Sequence, residues 1–380
     1  MIYLDNASTT PMNPKALNAM DTVLSDIFGN ASNLHQCGRK ASDILYKSRK
    51  IIAECINVSP SNIYFTSGGT ESNNWIIYMA KKYGMLTGNK HIITSKIEHH
   101  SILNPLEELK HFGFKIDFLN VDKDGMVNPL DVEKHIKKDT CLVTIMYANN
   151  EIGSIQNISE IGSICKKHNI AFHTDSVQAV GHIPVDVKKD NVNFLSMSAH
   201  KFGGAKGIGV LYADCNHLNL SPMILGGKQE NGFRGGTENI AAIYSMAVAL
   251  KESCNNLKEN YIYVENLKNI LYNGILSNIK DAELNGCIES RLPGNLSIRF
   301  KGINGESLLF MLDNDGICVS TSSACTSGSQ TPSHVLTAIG LNENQAFSSI
   351  RFSLSEINTE EEINFVLDSL KKNIEFLRSM

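Results

Sequence analysis

No run of apolar residues in this chain is long enough to cross a bilayer: Ile240 to Leu250 is among the longest, well short of the roughly 20 residues that a spanning helix needs. The start, Met1-Ile2-Tyr3-Leu4-Asp5, has neither the basic residues nor the apolar stretch of a secretory signal, so a cytoplasmic protein is expected, with no membrane partner. Positive charge is not in surplus either. The formal net charge is -4, and lysines and arginines are dispersed among acidic residues, so direct binding of nucleic acid is not expected. The nine cysteines are odd in number and scattered, with no Cys-x-x-Cys pair and no His-x-Cys cluster, so neither a disulfide framework nor a metal site is expected. Buried thiols in a reducing compartment are the ordinary reading of such a set. A cysteine assigned chemistry here has to be argued from its surroundings.

With 380 residues, 42% of them hydrophobic, the chain can build one large core and a second, smaller domain. Between residues 60 and 215, short β-branched or aromatic runs alternate with amphipathic ones. Strands are expected at 63–66, 91–94, 115–119, 141–147, 170–174, 192–196 and 208–212, and helices at 72–82, 101–111, 130–136 and 158–167. This alternation predicts an α/β fold, a mostly parallel seven-stranded sheet flanked by helices. A nearly proline-free helical pattern from Glu238 to Ile279 predicts one long spine. Beyond it, strands at 294–300 and 349–353 and helices at 306–312 and 360–377 predict a small α+β domain, the last helix opening on a Thr359 and Glu362 capping box. Ser320 to Thr331, almost wholly Ser, Thr, Gly and Ala around Cys325, reads as a loop.

Three motifs carry chemistry. Thr66-Ser67-Gly68-Gly69-Thr70-Glu71-Ser72-Asn73-Asn74 follows a strand and opens a helix, where glycines let backbone amides approach a phosphate; it is neither a dinucleotide fingerprint nor a nucleoside triphosphate loop. His173-Thr174-Asp175-Ser176-Val177-Gln178 puts an acid at the end of an apolar strand, where α/β folds bind ligands and where helix caps also occur. Ser196-Met197-Ser198-Ala199-His200-Lys201 leads from a strand into a glycine-rich turn and suits a lysine that forms a Schiff base, although a solvated lysine would read the same way in isolation.

In this order the three motifs resemble the cofactor site of fold-type-I pyridoxal-phosphate enzymes of the class-V aminotransferase family. The closest resemblance is to cysteine desulfurases of the nitrogenase and iron–sulfur-cluster type. It extends along the chain through Tyr3 to Pro11, Gly29-Asn30-Ala31-Ser32, Glu98-His99, Asn149 to Gly153, Arg234 to Asn239, Ser323-Ala324-Cys325 and Ser349 to Ser353. The resemblance implies residues 12–255 as the cofactor-binding domain and residues 1–11 with 256–380 as the smaller one. It implies that Lys201 bonds pyridoxal 5'-phosphate and moves the α-proton, that Asp175 pairs with the ring nitrogen, and that Gln178 donates to the ring hydroxyl oxygen. His99 would stack on the ring and shuttle protons. Gly69, Thr70, Ser198 and His200 would hold the phosphate, and Thr237 would reach the phosphate of a partner subunit, making the enzyme a homodimer. Arg351, assisted by Asn150, would clamp the carboxylate of L-cysteine, and Cys325 would take its sulfur as a persulfide for an acceptor protein, an iron–sulfur scaffold or a tRNA-thiolation enzyme.

Two other readings share these residues. A selenocysteine lyase or another carbon–sulfur lyase would keep the cofactor site without depending on Cys325, and a non-catalytic adaptor of a sulfur pathway would keep the fold without needing Lys201. The chain departs from the family at Ser322, where glycine is usual, and at Gly204-Ala205, where a bulky residue and proline are usual. Neither departure removes a group with a chemical role.

Overall fold

The computed structural model describes residues 1–321 and 331–379. The strands are β1 (Ile2–Tyr3), β2 (Ile63–Thr66), β3 (His91–Ser95), β4 (Lys115–Leu119), β5 (Thr140–Thr144), β6 (Ala171–Asp175), β7 (Phe194–Ser198), β8 (Gly209–Ala213), β9 (Ala282–Leu284), β10 (Asn295–Phe300), β11 (Ile317–Cys318), β12 (Ser320–Thr321) and β13 (Ser349–Ser353). Seven form one sheet in the order β2-β8-β7-β6-β5-β3-β4, parallel throughout except for β8, which runs against both neighbours. Helices cover both faces of this sheet, which is why β3, β5, β6 and β7 are buried at every position and read as continuous apolar runs. β7 starts and ends two residues later than the sequence pattern suggests, because Met197 and Ser198 continue the ladder against Val210 and Gly209.

The smaller sheet, β12-β13-β10-β9, is antiparallel and has its own core of Leu296, Ile298, Phe300, Ile350, Phe352, Val366 and Leu370. The spine expected from Glu238 to Ile279 is in fact two helices, Ile240–Asn255 and Leu257–Asn278. The break falls at Asn255-Asn256, two poor helix formers, and has a packing reason. Ile243, Met246 and Leu250 of the first helix bury in the core under the large sheet, whereas Val264, Leu267, Leu271 and Ile275 of the second bury in the core of the small one. A straight helix could not serve both. The final helix, Glu360–Ser379, begins with the expected capping box: Glu362 N–H donates to Thr359 Oγ1 at 3.3 Å and Thr359 N–H to Glu362 Oε2 at 3.2 Å. Among the described residues, no helix is long and apolar enough to cross a membrane.

This topology gathers one set of strand ends. β2, β3, β5, β6 and β7 are mutually parallel, so the residues after Thr66, Ser95, Thr144, Asp175 and Ser198 emerge at the same carboxyl edge of the sheet, where open α/β folds form clefts.

Candidate active site

A cleft of about 520 Å³ opens at that edge, and its walls include Gly69, Thr70, His99, Asn150, Asp175, Gln178, Ser198, His200, Lys201 and Arg351. Ten of the expected site residues are thus brought together. Thr237 lies elsewhere, exposed on the loop before the helix Ile240–Asn255; that loop is tied to the cleft by Arg234, whose guanidinium pairs with Glu71 at 3.0 Å. Cys325 lies outside the described residues.

The cleft floor is the N-terminus of the helix Gly69–Thr87, which no side chain caps. Its first-turn amides therefore face Ser198, His200 and Lys206 across the cleft, an arrangement suited to an anion. Close approach depends on glycine. Gly68 sits at φ 153°, and a Cβ on Gly69 would come within 2.6 Å of Val177 Cγ2. Burial, then the charges of Lys201 and Lys206, push the His200 imidazole down to about 4, so its ring is neutral at pH 7.

Asp175 is buried at the end of β6 and is held by neutral donors alone: Asn73 Nδ2 donates to Oδ2 at 2.7 Å and Val177 N–H to Oδ1 at 3.0 Å. Among the described residues no cation lies within ion-pair distance of it. Asn73 also donates to Ser101 Oγ at 2.8 Å, which in turn meets His99 Nδ1 at 2.8 Å. Because the Ser101 backbone N–H donates to that same Nδ1 at 3.1 Å, Nδ1 is an acceptor and the ring proton belongs on Nε2. Burial holds the His99 pKa below the ordinary histidine value, against the opposing pull of Asp175. A chain of four side chains thus links the neutral imidazole to the buried carboxylate.

Lys201 ends the short 3-10 turn Ala199–Lys201 after β7. Its Nζ donates to the carbonyls of Ala7 at 2.6 Å and Ser8 at 2.7 Å. Gln178 also donates to the Ala7 carbonyl, at 2.9 Å. Arg351, in the middle of β13 and 5% exposed at its side chain, reaches the cleft with Nη1 donating to the Asn150 carbonyl at 3.1 Å and Nη2 paired with Asp5 at 2.7 Å. Sequence reasoning missed the roles of Asn73, Ser101 and Asp5, although Asn73 and Asp5 stand inside quoted motifs.

Glu98, next to His99, was also missed. Fully enclosed, it accepts from Ser95 Oγ at 2.6 Å and Met146 N–H at 3.0 Å through Oε1, while Oε2 has no partner. Burial first, with the charge of Asp175 adding to it, pushes its carboxyl from 4.5 up to about 8. The folded protein therefore holds a proton there that the unfolded chain releases near 4.5. Stability from this group is complete at low pH and is lost as pH rises toward the folded value. Glu98→Gln is expected to flatten the fall in unfolding free energy between about pH 5 and about pH 8, by an amount on the order of a few kcal/mol, as measured by thermal unfolding. An unchanged slope would contradict it.

The Aminotransferase class-V family matches residues 2–366 of this chain. Cysteine desulfurase IscS of Dictyoglomus turgidum is 44% identical over 379 residues, which cover 100% of this chain and 96% of the relative. Among solved structures, a NifS-like protein superposes with a TM-score of 0.93 at 36% identity, covering 99% of each chain. The NifS-like protein of Rickettsia africae superposes with a TM-score of 0.88 at 34% identity, again covering 99% of each. Taken with the carboxyl-edge cleft, these likenesses identify the chain as a member of the class-V aminotransferase family, among its cysteine desulfurases.

Proposed function

We propose that this protein is a pyridoxal-phosphate-dependent cysteine desulfurase that converts L-cysteine to L-alanine and places the sulfur on Cys325 as a persulfide. The observation that carries the reading is the convergence of an amine, a buried carboxylate and a buried guanidinium around an uncapped helix N-terminus in one cleft. The residues fit the cofactor. Amides of Gly69 and Thr70, with Ser198 and His200, suit its phosphate, and Asp175, lacking a cationic partner among the described residues, suits a protonated ring nitrogen. When bound, pyridoxal phosphate supplies an electron sink that loosens bonds to the substrate's α-carbon.

The chain's own groups then have separate tasks. Lys201 would hold the cofactor, and its amine has a seat between the Ala7 and Ser8 carbonyls from which it would move the α-proton. Neutral His99 can donate from Nε2 and, by the Ser101 and Asn73 relay, stays in one tautomer. Gln178 steadies the Ala7 carbonyl and Arg351 takes the substrate carboxylate beside Asn150. The substrate's Cβ–S bond breaks, an S–S bond forms on Cys325, and thiol plus L-cysteine balance persulfide plus L-alanine without an oxidant. Thr237 completes the site of a partner subunit in a homodimer, residues 12–255 carry the cofactor, and residues 1–11 with 256–380 carry Arg351 and Cys325. The persulfide passes to an acceptor protein in the cytoplasm, an iron–sulfur scaffold or a tRNA-thiolation enzyme.

Protein supplied with pyridoxal phosphate, L-cysteine and an excess of a dithiol is expected to release sulfide and alanine in equal amounts. Sulfide accompanied by pyruvate and ammonia would instead mark an eliminating lyase and overturn the proposal.

A further inference from the structure

The guanidinium of Arg351 already grips a carboxylate, one that belongs to the chain itself. Its Nη2 donates one proton to Asp5 Oδ1 at 2.7 Å and the other to Ser8 Oγ at 2.7 Å. Nη1 donates to the Asn150 carbonyl at 3.1 Å, and Nε is buried without an acceptor. Ser8 Oγ in turn donates to Asp5 Oδ1 at 2.9 Å, closing a triangle. A guanidinium offers a carboxylate two flat edges, Nε with Nη2 and Nη1 with Nη2. Both edges need Nη2. A ligand carboxylate therefore cannot make two parallel hydrogen bonds to Arg351 while Asp5 and Ser8 hold both Nη2 protons.

We propose that Asp5 is a specificity-determining latch on Arg351, an internal carboxylate that keeps the guanidinium in place until a substrate α-carboxylate displaces it. The proposal rests on the assignment of Arg351 to the substrate carboxylate. The Asp5 side chain is 21% exposed against 5% for Arg351, so the acid has solvent to swing into and the guanidinium does not. The Asp5 backbone stays in place: it bridges to Ser353, and the next N–H, on Asn6, donates to the Ser353 carbonyl at 3.1 Å. A second carboxylate at the same guanidinium as an undisplaced Asp5 would meet a like charge there. Displacement is the way to avoid that repulsion. The latch is also coupled to Lys201, because the two residues that seat its amine, Ala7 and Ser8, follow Asp5 by two and three positions.

Such a latch weakens binding of ligands that carry a carboxylate and leaves others alone. Asp5→Asn, which keeps the shape and removes the charge, is expected to lower KM for L-cysteine about fivefold, the scale of one part-exposed ion pair, with the change residing in KM rather than kcat. By calorimetry on the full chain, it should tighten 3-mercaptopropionate by the same factor and leave cysteamine, which has no carboxylate, unaltered. Asp5→Ser repeats the test should the first variant fold poorly, with thermal unfolding as the check. A raised KM or weaker 3-mercaptopropionate binding would mean that Asp5 only positions Arg351; no change, or an equal gain for cysteamine, would equally overturn the latch. The titration needs no turnover. A parent protein inactive on cysteine would therefore sink the desulfurase reading while leaving the latch to be decided by 3-mercaptopropionate.

Discussion

Lys201→Ala is expected to lower cysteine turnover by at least about a thousandfold, because it removes the one amine of the cleft that the fold holds in place. The backbone around it is fixed from two sides. His182 Nε2 meets the Lys201 carbonyl at 2.8 Å, and the Ala199 carbonyl accepts from Phe202 and Gly204 N–H at 3.1 and 2.9 Å. Its Nζ then points at two carbonyls of the N-terminal segment, which orient an ammonium without neutralising it. Lys206 also lines the cleft, but it is exposed and follows the glycine-rich turn, so it lies on the side suited to an anion. Lys201→Arg should not rescue, since a guanidinium stays charged and is no nucleophile near neutral pH. Reductive trapping with borohydride, followed by peptide mass analysis, provides the second readout. Pyridoxal phosphate should be recovered on the peptide containing Lys201 in the parent and on no peptide in the variant. Activity above about a tenth of the parent's would remove Lys201 from the chemistry.

How much of this was legible in the sequence depended on the size of the residues that carry each pattern. The strands of the large sheet are runs such as Cys141-Leu142-Val143 and Phe194-Leu195, buried on both faces, and they stand out without any structure. The helices Pro14–Asp26 and Gln36–Cys55 did not stand out. The first buries only Ala16, Ala19 and Val23, and the second Gly38, Ala41, Ser48, Ile52 and Ala53, so small residues form most of the inward face and few large apolar side chains mark it. Those small residues let both helices lie close against Ile240–Asn255, and Gly38 approaches the Asn33 carbonyl so closely that a Cβ would not fit.

The site divides along a similar line. Lys201, Asp175, His99 and Arg351 each stand in a local motif with a recognisable partner pattern. What supports them does not: Asn73 meets Asp175 across 102 residues and Asp5 meets Arg351 across 346. Hydrogen bonds of that span leave no period in a sequence. They follow from the parallel strand order, which delivers distant strand ends to one edge, and from β1 pairing with β11, which brings the N-terminal segment under β13. The break at Asn256 was hidden for a related reason, because an apolar stripe can continue through a change of core.

Cys325→Ala is expected to reduce sulfide release from L-cysteine by at least about a hundredfold while leaving borohydride trapping at Lys201 intact. Residues 322–330 lie outside those described, so chemistry rather than geometry sets this expectation. Removal of sulfur from cysteine as a persulfide needs a thiolate that can reach the substrate sulfur. None of the eight described cysteines lines the cleft. Burial pushes the Cys141 thiol up to about 12 and raises Cys165 as well, which leaves both as inert thiols, while Cys37 and Cys215 are exposed but outside the cleft walls. No other described thiol is placed to substitute. After brief exposure to L-cysteine and alkylation, the parent should carry one extra sulfur atom on the Cys325 peptide, and the variant should carry none on any peptide. Alanine formation should fall together with sulfide, because the Cβ–S bond has nothing to transfer its sulfur to. Sulfide and alanine released by the variant at the parental rate would show that the thiol is dispensable, and the substrate sulfur would then have to pass straight to the added dithiol, which supplies the two electrons that alanine and sulfide together require.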